Sequence, residues 1–261
     1  MNKIAVIGAG NLGIAIIEGL IKDQSIANQN IIATRNNLNK ISFLQDKGIS
    51  ISSDNVDAVK QAEIILLCVK PFKVEEVLNA IKPVLTKDKI LISVATGIYL
   101  ETYENILGKD HVIFRSMPNT AASVEESLTC ISGNSTEEIH LEKVKKIFNP
   151  IGETILINEE LMNAATVIGA CGIAYVLRFI RAMIQGGIEI GFDADTANKI
   201  VTQTVKGAAE LLIQNGLHPE QEIDKVTTPK GCTIAGLNEM EHQGFSSALI
   251  KGIKTSYESI K

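Results

Sequence analysis

Through roughly the first 150 residues, short runs of Ile, Val and Leu alternate with stretches whose apolar positions recur at helical spacing. The runs predict strands at Lys3–Ile7, Asn30–Thr34, Ile64–Val69, Lys89–Val94 and His111–Arg115, with helices between most of them. Further strands are expected at Ser127–Ser132 and Glu153–Ile157, flanking a helix over Ser135–Phe148. Asn149-Pro150-Ile151-Gly152 then punctuates the chain. Beyond Glu159 the strand signals stop, and helical patterns run over Glu159–Ile190, Asp193–Asn215, Thr233–Gln243 and Ser246–Ile260. Strand and helix in alternation build a parallel sheet covered on both faces. The expected fold is therefore α/β, with a doubly wound parallel sheet in residues 1–157 and an all-helical domain in 158–261.

The helix from Glu159 is apolar on nearly every face and rich in small residues, among them Ala164, Ala165, Gly169, Ala170, Gly172 and Ala174. Such a helix must be surrounded, and a domain of this size cannot enclose it unaided. A second copy of the chain is expected to supply the cover. Its most apolar part, Ala164–Leu177, lies between Asn163 and Arg178 and is too short to cross a bilayer.

Composition narrows the function. The 261 residues are 45% hydrophobic and 21% charged, which excludes a disordered chain. A net charge of -5, no Trp and only 4% aromatics argue against nucleic acid as a partner. Cys68, Cys130, Cys171 and Cys232 are widely spaced, so neither a metal ribbon nor a disulfide scaffold is expected, and no histidine sits at a metal-ligand spacing. The first residues show no secretory pattern, and a cytoplasmic protein is expected.

Gly8-Ala9-Gly10-Asn11-Leu12-Gly13 follows the first strand and opens the first helix, the context in which G-x-G-x-x-G binds a dinucleotide. The first glycine permits the tight turn, the second admits a pyrophosphate to the backbone, and the third lets helix pack on strand. An acidic residue about 20 positions further on would hold the ribose hydroxyl of NAD. The chain instead reads Thr34-Arg35-Asn36, and Arg35 can pair with a 2′-phosphate, so NADP(H) is favoured over NAD(H). Cys68-Val69-Lys70-Pro71, Ala95-Thr96-Gly97 and Ser116-Met117-Pro118-Asn119-Thr120 end successive strands and converge on the same sheet edge. In the helical part, Thr227-Thr228-Pro229-Lys230-Gly231-Cys232-Thr233 forms a turn before a helix. Its amides at Gly231, Cys232 and Thr233 are expected to be free for a carboxylate.

Together these segments resemble the pyrroline-5-carboxylate reductase family over nearly the whole chain, most specifically at Gly231-x-Thr233-x-x-Gly236-Leu237. The resemblance implies a Rossmann-type domain followed by a helical dimerisation domain, and dimers that assemble further. It also implies reduction of a cyclic imine carboxylate to L-proline by NADPH, with NADH as the alternative donor. Cofactor contacts carry over to Gly8, Ala9, Gly10, Asn11, Leu12, Gly13, Arg35, Asn55, Val69, Lys70, Ala95 and Thr96, with Met117 and Asn119 near the nicotinamide. Substrate contacts carry over to Glu159, Thr228, Gly231, Cys232 and Thr233, with the Thr233 hydroxyl nearest the imine nitrogen. The chain departs from the family at Ala170-Cys171-Gly172-Ile173-Ala174-Tyr175, where Gly-Ser-Gly-Pro-Ala-Tyr is usual. It departs again at Lys230, where a second glycine is common, at Asn163, often acidic, and at Thr96, often alanine. Two other readings share the glycine motif: a related dehydrogenase with another substrate, and a dinucleotide-binding regulator without turnover. Hydroxyacid enzymes of this plan generally place a lysine in the long helix, and Glu159–Leu177 contains none.

Overall fold

Residues 3–260 are described by the computed structural model; residues 1, 2 and 261 of the expected domains lie outside them. The strands are β1 (Ile4–Ile7), β2 (Ile31–Thr34), β3 (Ser50–Ser52), β4 (Ile64–Leu67), β5 (Ile90–Ser93), β6 (Val112–Met117), β7 (Ser127–Gly133) and β8 (Gly152–Leu156). They form one sheet in the order β3-β2-β1-β4-β5-β6-β7-β8. After β3 the chain returns to the other side of β1, so the strand order reverses between β1 and β4, where Ile7 stands level with Leu67. Helices α1 (Asn11–Asp23), α2 (Phe43–Asp46), α3 (Asn55–Gln61), α4 (Val74–Ile81), α5 (Leu100–Leu107) and α6 (Glu138–Phe148) connect or cover the strands. The central strands are buried on both faces, which is why they read as unbroken apolar runs. Ile4, Val6, Leu66 and Ile92 join a core with Ile16, Ile17 and Phe148, whereas Ala5, Ile7, Ile65 and Leu91 face Val59, Leu78 and Tyr103.

The expected sheet is corrected in two places. β7 runs antiparallel to β6, with Arg115 opposite Ser132. Residues 118–126 join the two strands, fewer than the dozen or more that a parallel crossover requires, so the chain can only double back. β3 was not expected from the sequence: it is three residues long, polar at alternate positions and lies at the sheet edge.

The chain divides into two compact units, one running to Cys171 and one from Gly172 to Ser259. The change of sequence pattern near residue 157 precedes this division, because residues 159–171 are helical in pattern yet are bonded to the first unit through Glu159 and Gly169. That segment contains α7 (Met162–Ala165) and a π-helical stretch, Thr166–Cys171. The expectation of one uniform α-helix from Glu159 is thus corrected. In the π turn the helical hydrogen-bond ladder carries one extra residue.

The second unit holds α8 (Gly172–Glu189), α9 (Ala194–Asn215), α10 (Pro219–Val226), α11 (Cys232–His242) and α12 (Phe245–Glu258). α10 was missed in the sequence although its start is marked: His218 and Gln221 form a reciprocal capping box and Pro219 occupies the first turn. The core of this unit is small, centred on Ile184, Ala197 and Val201 of α8 and α9. The Tyr175 hydroxyl donates to Ser256 Oγ at 2.6 Å, and Phe179 meets Phe245 with centroids 6.0 Å apart, tying α8 to α12. Val176, Leu177, Ile188, Ile190, Ile200, Leu211, Ile213 and Ile250 are left exposed. Apolar surface on this scale marks a contact surface.

A candidate cofactor cleft at the sheet switch point

The turns after β1 and β4 lie side by side at the point where strand order reverses, the position at which open α/β sheets bind ligands. Gly8 has φ +91° and packs so closely that a Cβ would lie 2.8 Å from Val69 Cγ1 and 3.1 Å from the Cys68 carbonyl. Its amide and that of Ala9 donate to the Thr34 carbonyl at 3.2 and 2.8 Å, which fastens the glycine loop to the end of β2. A Cβ on Gly13 would meet the Gly8 carbonyl at 3.2 Å, so α1 rests against the loop here. Gly10 is different: a Cβ there would find only the Gly8 carbonyl, at 3.9 Å. The open side of Gly10 faces a cleft of about 690 Å³.

The cleft is lined by Gly10, Asn11, Leu12, Arg35, Val69, Lys70, Ala95, Thr96 and Asn119, nine of the residues expected from the sequence. Gly10 caps α1 without a side-chain partner and the first turn of α1 carries no acidic residue, so the first amides and the positive end of the helix dipole point into the cleft. Arg35 Nη1 donates to the Ala9 carbonyl at 2.9 Å, which holds the guanidinium beside the loop with donors to spare for an anion. Among the described residues no carboxylate lines the cleft, and both charged side chains that do, Arg35 and Lys70, are cations. The arrangement suits a ligand carrying several phosphates. Burial pushes the Cys68 thiol up to about 12, so the cleft floor is neutral there.

Other expected contacts act from behind the wall. Ala9 and Gly13 are buried beneath the loop. Thr34 is buried, accepts from the Gly8 amide at 3.3 Å and donates to Asn55 Oδ1 at 2.6 Å; it is not available to a ligand as its neighbour Arg35 is. Met117 is buried with Cys130 and Met162, and its Sδ accepts from the Thr96 hydroxyl at 3.9 Å. Asn119 caps the following turn through Oδ1, which accepts from the Ala121 amide at 2.9 Å, while its Nδ2 donates to the Gly169 carbonyl at 3.0 Å. Glu159 does not line this cleft. Its Oε1 accepts from Arg115 Nη1 at 2.8 Å and from the Leu100 amide at 2.6 Å, and the residue borders a separate cavity of about 590 Å³ with Ser132 and Asn158. Cys68, Pro71, Val94, Thr120 and Ser123 also line the cleft and were not among the expected contacts. Their signal was position alone, at or just past the carboxyl ends of strands.

In the helical unit Thr228, Cys232 and Thr233 are exposed around the turn that opens α11, with Gly231 as its cap. The expectation that three amides are free is corrected for one of them: Gly231 N–H donates to the Thr228 carbonyl at 2.9 Å, closing the turn. A Cβ on Gly231 would lie 2.5 Å from Thr228 Oγ1 and 3.0 Å from the Thr228 carbonyl, so a larger residue here would have to displace the threonine hydroxyl. Lys230 is held at φ +61°, a left-handed conformation that strains any residue with a Cβ.

Comparison with known proteins agrees with both parts. Residues 159–261 match the family profile for pyrroline-5-carboxylate reductase dimerisation, and residues 3–97 match that for NADP oxidoreductases, coenzyme F420-dependent. Pyrroline-5-carboxylate reductase 1 of Dictyostelium discoideum is 47% identical over 98% of this chain, which spans 48% of that protein's length. Pyrroline-5-carboxylate reductase 2 of the same organism is 45% identical, over 98% of this chain and 91% of its own. A crystal structure of the Plasmodium falciparum pyrroline carboxylate reductase with NADP bound superposes with TM-score 0.89 at 29% identity, covering 100% of this chain and 97% of that one.

Proposed function

The chain belongs to the pyrroline-5-carboxylate reductase family, and from that premise we propose that it reduces 1-pyrroline-5-carboxylate to L-proline with NADPH, accepting NADH as the weaker donor. The observation that carries the reading is the 45% identity running through 98% of the chain and 91% of the relative. The cleft supports it independently, because its cations and open glycine suit a phosphorylated dinucleotide. Residues 159–261 form the family's dimerisation domain, which gives the exposed apolar faces of the helical unit their partner.

When bound, the reduced dinucleotide supplies a hydride to the imine carbon. The chain's own part is binding and orientation. Asn11 and Leu12 present amides to the pyrophosphate, Gly10, whose own amide donates to the Gly8 carbonyl at 2.7 Å, leaves room for its approach, Arg35 pairs with the 2′-phosphate, and Lys70 adds charge at the rim. Val69, Ala95, Thr96, Met117 and Asn119 shape the wall beside the nicotinamide, with Gly8 packed against Val69, while Ala9, Gly13 and Asn55, through Thr34, hold the glycine loop in place. In the helical unit the Cys232 and Thr233 amides, with Thr228, neutralise the substrate carboxylate, and Gly231 keeps the turn closed. The Thr233 hydroxyl orients the imine nitrogen. A cyclic imine can be protonated before the hydride arrives, so no strong general acid is required. Residues 1–157 serve as the cofactor domain and 158–261 as the substrate and dimerisation domain, in a cytoplasmic enzyme.

The test is NADPH consumption with 1-pyrroline-5-carboxylate, run beside NADH and beside a six-membered cyclic imine carboxylate. Turnover of the five-membered substrate with NADPH is expected. NADPH binding without turnover of either imine would refute the assignment while leaving the cleft intact.

A further inference from the structure

Arg115 leaves β6 on the side of α5 and is 2% exposed, one of the largest buried side chains in the molecule. Its Nη1 donates to Glu159 Oε1 at 2.8 Å, and its Cζ lies 5.2 Å from the centroid of the Tyr99 ring. Nε and Nη2 are buried with no partner among the described residues. A buried cation with so few partners does not stabilise a fold, since desolvation offsets the attraction within the pair. The Glu159 carboxylate sits at the N-terminus of α5, where it also accepts the Leu100 amide. The Tyr99 hydroxyl in turn accepts from Asn163 Nδ2 at 2.8 Å. Further along the same chain segment, Asn119 grips the Gly169 carbonyl, which lies inside the π-helical stretch. β6 and the loop after it therefore hold residues 159–169 at both ends, through Arg115 and Asn119, and Met117 lies between the two attachments.

We infer that Arg115 and Glu159 are positioning residues: their ion pair sets the Met117–Thr120 loop against the dinucleotide cleft, and Glu159 acts through Arg115 rather than by touching the reactants. The kinetic half of this inference rests on the reductase reading; the cofactor-binding half does not. The experiment uses the full chain with Arg115→Met, Glu159→Gln and the double variant. It reads the NADPH dissociation constant from cofactor fluorescence, kcat and KM for the imine, and the melting temperature. Each single variant is expected to weaken NADPH binding and lower kcat by roughly tenfold, with imine KM changed by less than about twofold. The double variant is expected to be no worse than the poorer single one, because the second change removes a partner already lost.

Raised imine KM in Glu159→Gln at unchanged NADPH affinity would overturn the inference, since the carboxylate would then touch substrate. Multiplying effects in the double variant, or a loss confined to melting temperature, would overturn it as well. Tyr99→Leu removes the ring beneath the guanidinium without leaving a buried charge unpaired, and so guards against variants that fail to fold. A loss of roughly threefold in NADPH affinity is expected from it, and no change would count against the inference. If the unaltered protein turns over no imine, the reductase reading fails while the NADPH titrations still decide this one.

Discussion

Replacing Gly10 and Gly8 by alanine, one at a time, separates a glycine kept for the ligand from one kept for the fold. At Gly10 an added methyl meets only the Gly8 carbonyl, at 3.9 Å, and the backbone has φ -87°. Alanine is a poorer helix cap than glycine by roughly 0.5–1 kcal/mol, but it narrows the unfolded ensemble by a similar amount, so stability should stay within about 0.5 kcal/mol. The methyl nevertheless projects into the cleft where a pyrophosphate must approach the amides of α1. Loss of one or two charge-assisted hydrogen bonds corresponds to about 1.5–3 kcal/mol, or roughly 10- to 100-fold in NADPH affinity. At Gly8 the methyl would stand 2.8 Å from Val69 Cγ1 at φ +91°. Left-handed strain of about 1–2 kcal/mol and overpacking of about 1–3 kcal/mol should lower the melting temperature by roughly 5–15 °C. The assays are a fluorescence titration with NADPH and a thermal melt on each variant. A Gly10→Ala protein that binds NADPH within twofold of the parent would refute the placement of the pyrophosphate on this loop.

Further outcomes follow from the same geometry. Arg35→Ala should weaken NADPH by roughly 10- to 100-fold while NADH changes less than about threefold, and equal losses in parallel titrations would remove Arg35 from the 2′-phosphate. Lys230→Gly relieves the left-handed strain at φ +61° and should add about 1 kcal/mol, or roughly 2–4 °C in a thermal melt; an unchanged melt would refute the strain. Burial pushes Tyr103 up from 10.0 to about 12, so between these values the unfolded phenol ionises while the folded one keeps its proton, and stability falls as pH rises. The fall amounts to about 2 kcal/mol and should vanish in Tyr103→Phe, which loses about 1 kcal/mol at neutral pH with the Ser93 hydrogen bond. Denaturant midpoints from pH 8 to pH 12 that ran parallel for the two proteins would contradict this origin.

Much of the protein was written locally in its sequence. Strands buried on both faces announce themselves as unbroken apolar runs, and Gly8, Gly10 and Gly13 carry their meaning because they stand between such a run and a helix. Nine expected cofactor contacts line one cleft because every strand-to-helix turn of a doubly wound sheet emerges at the same edge. The tertiary structure decided what depends on groups far apart in the chain. The reversal of β7 came from the shortness of its connection, and Ser50-Ile51-Ser52 became a strand only because β2 offered an open edge. The fate of Glu159 was of the same kind: a carboxylate near a domain junction can face a ligand or a cation, and its partner Arg115 lies 44 residues away. Asn119 and Gly169, 50 residues apart, meet across a π turn in a helix whose sequence reads as regular. Periodicity reports which face of an element is buried; it does not report which polar groups meet once the elements pack, and those meetings set the walls of the cleft.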